Sequence, residues 1–422
     1  MSVARSSHSA SLHFFGTSTP ARLIEQFGSP LYVYNERILR ERCREMQSLC
    51  DVPGFTVYYS TKANSNPHLL RIVREEGLMA DAMSPGELAL LCRAGFLRND
   101  INYVSNNISP EELKLAAAEA GHVSVDSLSQ LDSFGRVNPG GQVMVRLNPG
   151  IGKGHHAKVV TGGGKTKFGI NPEDFDEMRA ILSRHNLTLA GFNQHIGSLF
   201  LDPEPYLAAA SWLLERAKAF PGVRILDFGG GFGIPYRKDT EQRLSLAAFK
   251  DAFTRLLEAF RMDTGYNGLF VIEPGRYISC ECGILLGSVF AVKNNGPTRY
   301  VGTDLGFSVL ARPVMYDAYH DIEVYPAGGP KGAAPRREMV QSIVGNICET
   351  GDVLASDRAL PEIMVGDTLG VLDAGAYGMV MSSNYNQRLR PAEALIQEDG
   401  SVRLIRRRDT VEDLLAVYPE AP

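Results

Sequence analysis

The sequence predicts an α/β chain: a (β/α)8 barrel followed by a mostly β C-terminal domain. Three observations carry this. Apolar strand candidates alternate with amphipathic helical stretches eight times between Phe55 and Ile272, and such alternation builds a parallel sheet. A polar or glycine residue stands at or just after each strand end: Lys62, Asp81, Asn106, Asp126, Asn148, His195, Gly229 and Glu273. Eight units of this length suit a barrel better than an open sheet, and a barrel gathers all eight ends at the rim where barrel active sites sit. After Arg276 the texture changes to short apolar runs separated by Gly, Pro and Asp, as in a β domain.

Residues 1–30 form an N-terminal segment expected to pack with the β domain, with a short helix over Thr19–Phe27. The barrel domain is placed at residues 31–280. It opens with a strand at Leu31–Tyr34, and Asn35 caps a helix running from Glu36 to Cys50. The eight strand candidates follow at 55–60, 78–82, 101–104, 122–125, 142–147, 188–194, 223–228 and 268–272. The clearest helical patterns between them begin at Pro67, Pro85, Pro110, Ser127, Pro172, Tyr206 and Leu244; Ser and Pro are typical helix starts. The glycine-rich loop Gly150–Gly169, with His155 and His156, follows the fifth strand and reads as a lid. The C-terminal domain is placed at 281–422. It has strands at Val289–Val292, Arg299–Thr303, Ile322–Tyr325, Gln341–Val344 and Thr368–Leu372, and a closing helix at Val411–Val417.

Composition narrows the function. The 422 residues are 44% hydrophobic and 22% charged with net charge -5, enough apolar content for a sizeable core. No basic block appears, which argues against nucleic acid and for a small-molecule partner. Six scattered cysteines are too sparse for a disulfide scaffold and fit the reducing cytoplasm. Cys280-Glu281-Cys282 lacks a second Cys/His pair at zinc-like spacing, so no metal is expected. The first residues carry no apolar run, unlike a signal peptide. No stretch reaches 18 uninterrupted apolar residues, so no membrane span is expected.

Lys62 ends a charge-free strand in the stretch Tyr58-Tyr59-Ser60-Thr61-Lys62-Ala63-Asn64. A lysine there is costly to bury unpaired; by itself it also fits a side chain reaching to solvent. Gly229-Gly230-Gly231 after the seventh strand lets backbone N–H groups approach a phosphate, and equally fits a tight turn. Its place matches the phosphate sites of barrels. Gly164-Lys165-Thr166 fails as a P-loop because Val159 stands where the first glycine is needed. His195 follows the sixth strand, with Ser198 close behind; its flat ring suits stacking on a cofactor. Glu273-Pro274-Gly275-Arg276 follows the eighth. It offers an acid for a ring nitrogen and a guanidinium for a carboxylate or phosphate, or a mutual ion pair. Lysine, phosphate cradle, stacking ring and acid on one rim match pyridoxal 5′-phosphate.

The chain resembles the group-IV, fold-type III pyridoxal-phosphate decarboxylases, and most closely the diaminopimelate decarboxylases, from about Leu31 to Glu393. The motifs that carry this are Tyr59–Asn64, His195–Ser198, Gly229–Gly231, Glu273–Arg276, Ala311–Tyr316, Cys348–Asp352 and Asp373–Asn386. The resemblance implies an alanine-racemase-like barrel with a β domain. It also implies conversion of meso-2,6-diaminopimelate to L-lysine and carbon dioxide. By the same resemblance Lys62 is the Schiff-base lysine, His195 stacks on the cofactor and Glu273 pairs with its nitrogen. Gly229, Gly230, Gly231, Ser198, the Gly275-Arg276 backbone and Tyr377 hold the phosphate. Arg276, Arg312, Tyr316 and Tyr377 contact the substrate. Cys348 and Glu349 reach across a homodimer interface, Cys348 to return a proton and Glu349 to bind the distal amine. Gln194, Leu199 and Thr350 depart from the common pattern. The alternative is a related decarboxylase acting on ornithine, lysine, or a carboxylated polyamine or siderophore precursor; Arg312 argues against plain ornithine. A silent homologue kept as a regulator is a second alternative, and an aldolase-type barrel a third.

Overall fold

The computed structural model describes residues 8–150, 153, 154, 166–327 and 336–419. Most of the segment read as a lid, residues 151, 152 and 155–165, lies outside these. The chain divides into two compact units, one built from Arg40–Pro235 and Gln242–Ile278.

That unit is the barrel. Its strands are β1 (Phe55–Ser60), β2 (Met79–Ala82), β3 (Ile101–Val104), β4 (His122–Val125), β5 (Gln142–Arg146), β6 (Thr188–Asn193), β7 (Ile225–Asp227) and β8 (Leu269–Ile272). They pair in chain order, and β8 returns to β1 through Phe270↔Phe55, Val271↔Thr56 and Ile272↔Val57. Every pairing around the ring is parallel, so every strand ends at one rim. Tyr58, Met144, Ala190, Ile225 and Val271, from five strands, fill the interior as one buried cluster. The βα turns are kept short by capping. Asn66, Ser84 and Ser109 accept from the N–H groups of His68, Glu87 and Glu112, and a proline follows each. The cap satisfies an orphan donor and the proline removes another. Lys62 lies in one such tight connection, on the single 3-10 turn Thr61–Ala63.

The other unit draws on residues up to Leu39, Tyr236–Glu241 and the chain from Ser279 onward. It holds a nine-stranded mixed sheet. The strand Leu31–Asn35, placed with the barrel domain on sequence, belongs to this sheet. It pairs antiparallel with Gly283–Asn295 and parallel with Ala392–Ile396. All five of its residues are buried, and such a run fits any sheet interior, so local pattern does not name its partners. The barrel's own first strand starts at Phe55. Tyr236–Glu241 also joins the β unit although it lies between barrel elements. The strands Val353–Pro361 and Val402–Arg406 escaped the sequence reading. Charged residues such as Arg358, Arg403 and Arg406 interrupt their apolar pattern.

Candidate active site

Lys62 stands at the barrel rim among buried acids. Ser60 Oγ donates to Asp81 Oδ2 at 2.6 Å, at the end of β2. Glu273, just past β8, and Asp227, the last residue of β7, act on each other electrostatically at the barrel mouth. Burial raises all three carboxyls, and the Lys62 charge opposes this at Asp81 and Glu273. Asp227 is pushed up to about 7, and the neighbouring acids hold Glu273 well above its ordinary range. The pair is asymmetric. Asp227 accepts from the Gly229 N–H at 2.9 Å and the Asn193 amide at 3.3 Å. Among the described residues, Glu273 Oε1 is buried with no hydrogen-bond partner. Asp227 is therefore the first of the two to ionise as pH rises, and Glu273 keeps its proton longer. Arg146, ending β5, is drawn by Glu273, Asp126 and Asp227 while burial lowers its pKa.

The glycine run is demanded by space as well as by conformation. Gly229 and Gly231 have φ of 71° and 103°, a region closed to most side chains. A Cβ on Gly229, Gly230 or Gly231 would lie 2.2, 2.0 or 2.5 Å from the carbonyl oxygens of Gln194, Glu273 and Gly197. The turn thus presses against the ends of β6 and β8, and Tyr206 holds it by donating to the Gly229 carbonyl at 2.9 Å. The Gly230 N–H donates to His195 Nδ1 at 3.2 Å. That makes Nδ1 an acceptor and places the ring proton on Nε2. Burial, with Lys62 and Arg146 nearby, holds the His195 pKa well below its usual value, so the ring is neutral. Arg276 Nη2 donates to Ser198 Oγ at 2.9 Å, joining the turns after β6 and β8. A Cβ on Gly275 would come within 2.8 Å of the Ser60 side chain, so this glycine packs against the end of β1.

In the β unit, Arg312 and Tyr316 begin and end one short helix, Arg312–Tyr316, and their spacing puts them on one face. Arg312 is 2% exposed. Its Nη1 lies 2.7 Å from His320 Nε2 and its guanidinium 4.7 Å from the Tyr236 ring centre. Among the described residues, no carboxylate pairs with it. Cys348 and Glu349 are exposed on a loop pinned by Asp352, which accepts from the Ile347 and Phe307 N–H groups. Asn386 brackets Cys348, accepting from its N–H at 3.0 Å and donating to Sγ at 3.2 Å. The Tyr385 hydroxyl donates to Glu349 at 2.5 Å. Tyr377 has a φ of 55°, a strained setting for a bulky residue.

The structure therefore brings Lys62, His195, Ser198, Gly229–Gly231, Glu273, Gly275 and Arg276 to one barrel rim. Arg312, Tyr316, Cys348, Glu349 and Tyr377 lie in the other unit. Sequence reasoning gave no role to Asp227, Arg146, His320, Tyr236 or Asn386. A signal existed for two of them: Arg146 is a lone charge in an apolar strand, and Asp227 immediately precedes the Phe228-Gly229 turn.

Comparison with known proteins identifies the family. The family described as pyridoxal-dependent decarboxylase, pyridoxal binding domain, matches residues 36–280. A diaminopimelate decarboxylase of Methanothermobacter thermautotrophicus is 39% identical over 409 residues, 95% of this chain and 94% of that one. One of Escherichia coli is 35% identical over 94% of this chain and 95% of its own. A crystal structure of diaminopimelate decarboxylase superposes with a TM-score of 0.88 at 34% identity, covering 96% of this chain and 98% of that one. That of Helicobacter pylori complexed with L-lysine gives 0.86 at 28% identity, covering 94% and 99%. With likeness over nearly its full length and a lysine among acids at the barrel rim, this chain belongs to the diaminopimelate decarboxylase family of pyridoxal-dependent decarboxylases.

Proposed function

We propose that the protein decarboxylates meso-2,6-diaminopimelate to L-lysine and carbon dioxide, with pyridoxal 5′-phosphate as its cofactor. The observation that carries the substrate is Arg312, a buried cation with no carboxylate of its own among the described residues. A buried charge without a counter-ion is costly, and a substrate bearing a second carboxylate supplies one. Ornithine has no such group.

The rim residues fit the cofactor. Lys62 provides the amine that holds it, and Glu273 Oε1, buried and without a hydrogen-bond partner among the described residues, can accept from a ring nitrogen. His195 offers a neutral ring face. In the glycine turn the Gly229 and Gly230 N–H groups are engaged by Asp227 and His195, so the Gly231 N–H and the Ser198 hydroxyl are the donors offered to a phosphate. When bound, pyridoxal phosphate supplies the electron sink for the pair left as carbon dioxide departs. The chain's own residues do the rest. Arg312 and Tyr316 bind the distal carboxylate and Glu349 the distal amine. Cys348 returns the proton from its Sγ, acting in the active site of a second copy of the chain. Its exposure and that of Glu349 support this homodimeric reading. Among the described residues no helix is long and apolar enough to cross a membrane, and scattered cysteines fit a reducing cytoplasm.

Arg312→Met tests the substrate assignment. Losing one partner of a buried charge pair costs about 2–5 kcal/mol, so KM for diaminopimelate should rise roughly 30-fold or more while the cofactor stays bound. An unchanged KM would overturn the assignment.

A further inference from the structure

Arg312 has a second peculiarity: the group that holds it is not an acid. His320 lies at the other end of the turn after the Arg312–Tyr316 helix and is 3% exposed. Its Nδ1 lies 2.8 Å from the Leu372 carbonyl oxygen. A carbonyl only accepts, so Nδ1 carries the ring proton and Nε2 is left as a lone-pair acceptor. That acceptor faces Arg312 Nη1 at 2.7 Å. The tautomer is thus set by the backbone of the strand Thr368–Val371 and its following residue. On its flat side the guanidinium meets the Tyr236 ring at 4.7 Å, and Tyr236 meets His320 edge-on at 5.3 Å between centroids. Tyr236 is 4% exposed, and its hydroxyl lies 3.1 Å from Cys280 Sγ, which fixes the ring. Arg312 is therefore gripped on one edge and one face by two neutral groups.

This arrangement has a chemical consequence. A carboxylate in the place of His320 would fix the guanidinium equally well, but it would neutralise it and compete with an incoming carboxylate. A neutral acceptor orients the fork and leaves its charge unspent. We propose that His320, backed by Tyr236, is the positioning residue that aims Arg312 at the substrate's distal carboxylate and so sets specificity for amino acids that carry one there. The inference rests on the reading of Arg312 as the ligand of that carboxylate.

The test uses two ligands of the holoenzyme that differ by that single group: L-lysine, which keeps the carboxylate, and cadaverine, which lacks it. Dissociation constants are measured by calorimetry. His320→Phe keeps a ring but neither donates to Leu372 nor accepts from Arg312. It should weaken L-lysine about 10- to 100-fold, as expected for a hydrogen bond to a charged group, and leave cadaverine within about 3-fold. His320→Gln restores an acceptor and a donor and should return L-lysine to within about 3-fold of the parent. Equal weakening of both ligands by His320→Phe would mean a merely structural role and overturn the proposal. Failure of His320→Gln to rescue L-lysine would overturn it as well. Should His320→Phe not fold, Tyr236→Leu carries the same comparison, with selective loss of L-lysine expected and equal loss contradicting. Arg312→Met separates the two levels. If it leaves L-lysine binding intact, the carboxylate reading itself falls; if it abolishes that binding while His320→Phe does not weaken it, only the role of His320 falls.

Discussion

Glu273 and Asp227 show how two acids in one cavity acquire different tasks. Donors from Gly229 and Asn193 favour charge on Asp227, while Glu273 Oε1 has none among the described residues. On the proposed reading of Glu273 as the acid beside the cofactor nitrogen, Asp227 is its supporting neighbour. This has a consequence for stability. Burial raises Asp227 to about 7, so the folded chain keeps a proton that the unfolded chain releases near pH 4. The stability this lends is complete below about pH 4 and is lost as pH rises through about 7. Asp227→Asn removes that dependence. Between these limits the cofactor-stripped variant should lose less stability with rising pH than the parent, by roughly a few kcal/mol. Urea midpoints across the range measure it; parallel slopes would contradict the raised Asp227 carboxyl. Residue by residue, the site was legible where chemistry and position coincide, as at Lys62, His195 and Glu273. Asp227, Arg146 and His320 also have partners distant in sequence, Asn193, Glu273 and Leu372 respectively, and no local spacing records those contacts.

At the scale of elements, the barrel was readable because its strands are short and largely apolar, and β1–β4 and β7 are followed by helices opened by a capping Asn or Ser. Ser84-Pro85 and Ser109-Pro110 mark helix starts almost without tertiary context. The β unit was less so. Leu31–Asn35 finds its neighbours in Gly283–Asn295 and Ala392–Ile396, pairings that sequence distance hides. The loop bearing Cys348 and Glu349 is another element fixed by remote contacts, through Asp352, Asn386 and Tyr385. Its exposed residues give the shared-site reading a direct trial. Chains carrying Lys62→Ala and chains carrying Cys348→Ala are each expected to be inactive. Mixed and allowed to exchange, they should regain about a quarter of parental activity, since random pairing makes half the dimers hybrid and each hybrid holds one intact site. Hybrids shown to form but inactive would place Cys348 in its own chain's site.

At the scale of the whole molecule, the proposed reading takes the barrel rim as suited to pyridoxal phosphate and Arg312, buried with no carboxylate partner among the described residues, as suited to a second carboxylate. Gln194, Leu199 and Thr350, which depart from the common family pattern, leave both features in place. The most direct measurement follows carbon dioxide and L-lysine released by the purified protein with added pyridoxal phosphate. The substrates are meso-diaminopimelate, L-ornithine, L-lysine and L-arginine, with Lys62→Ala as the control. Equimolar carbon dioxide and L-lysine from diaminopimelate alone, and none from Lys62→Ala, is the predicted result. Preference for an amino acid without a second carboxylate would contradict it.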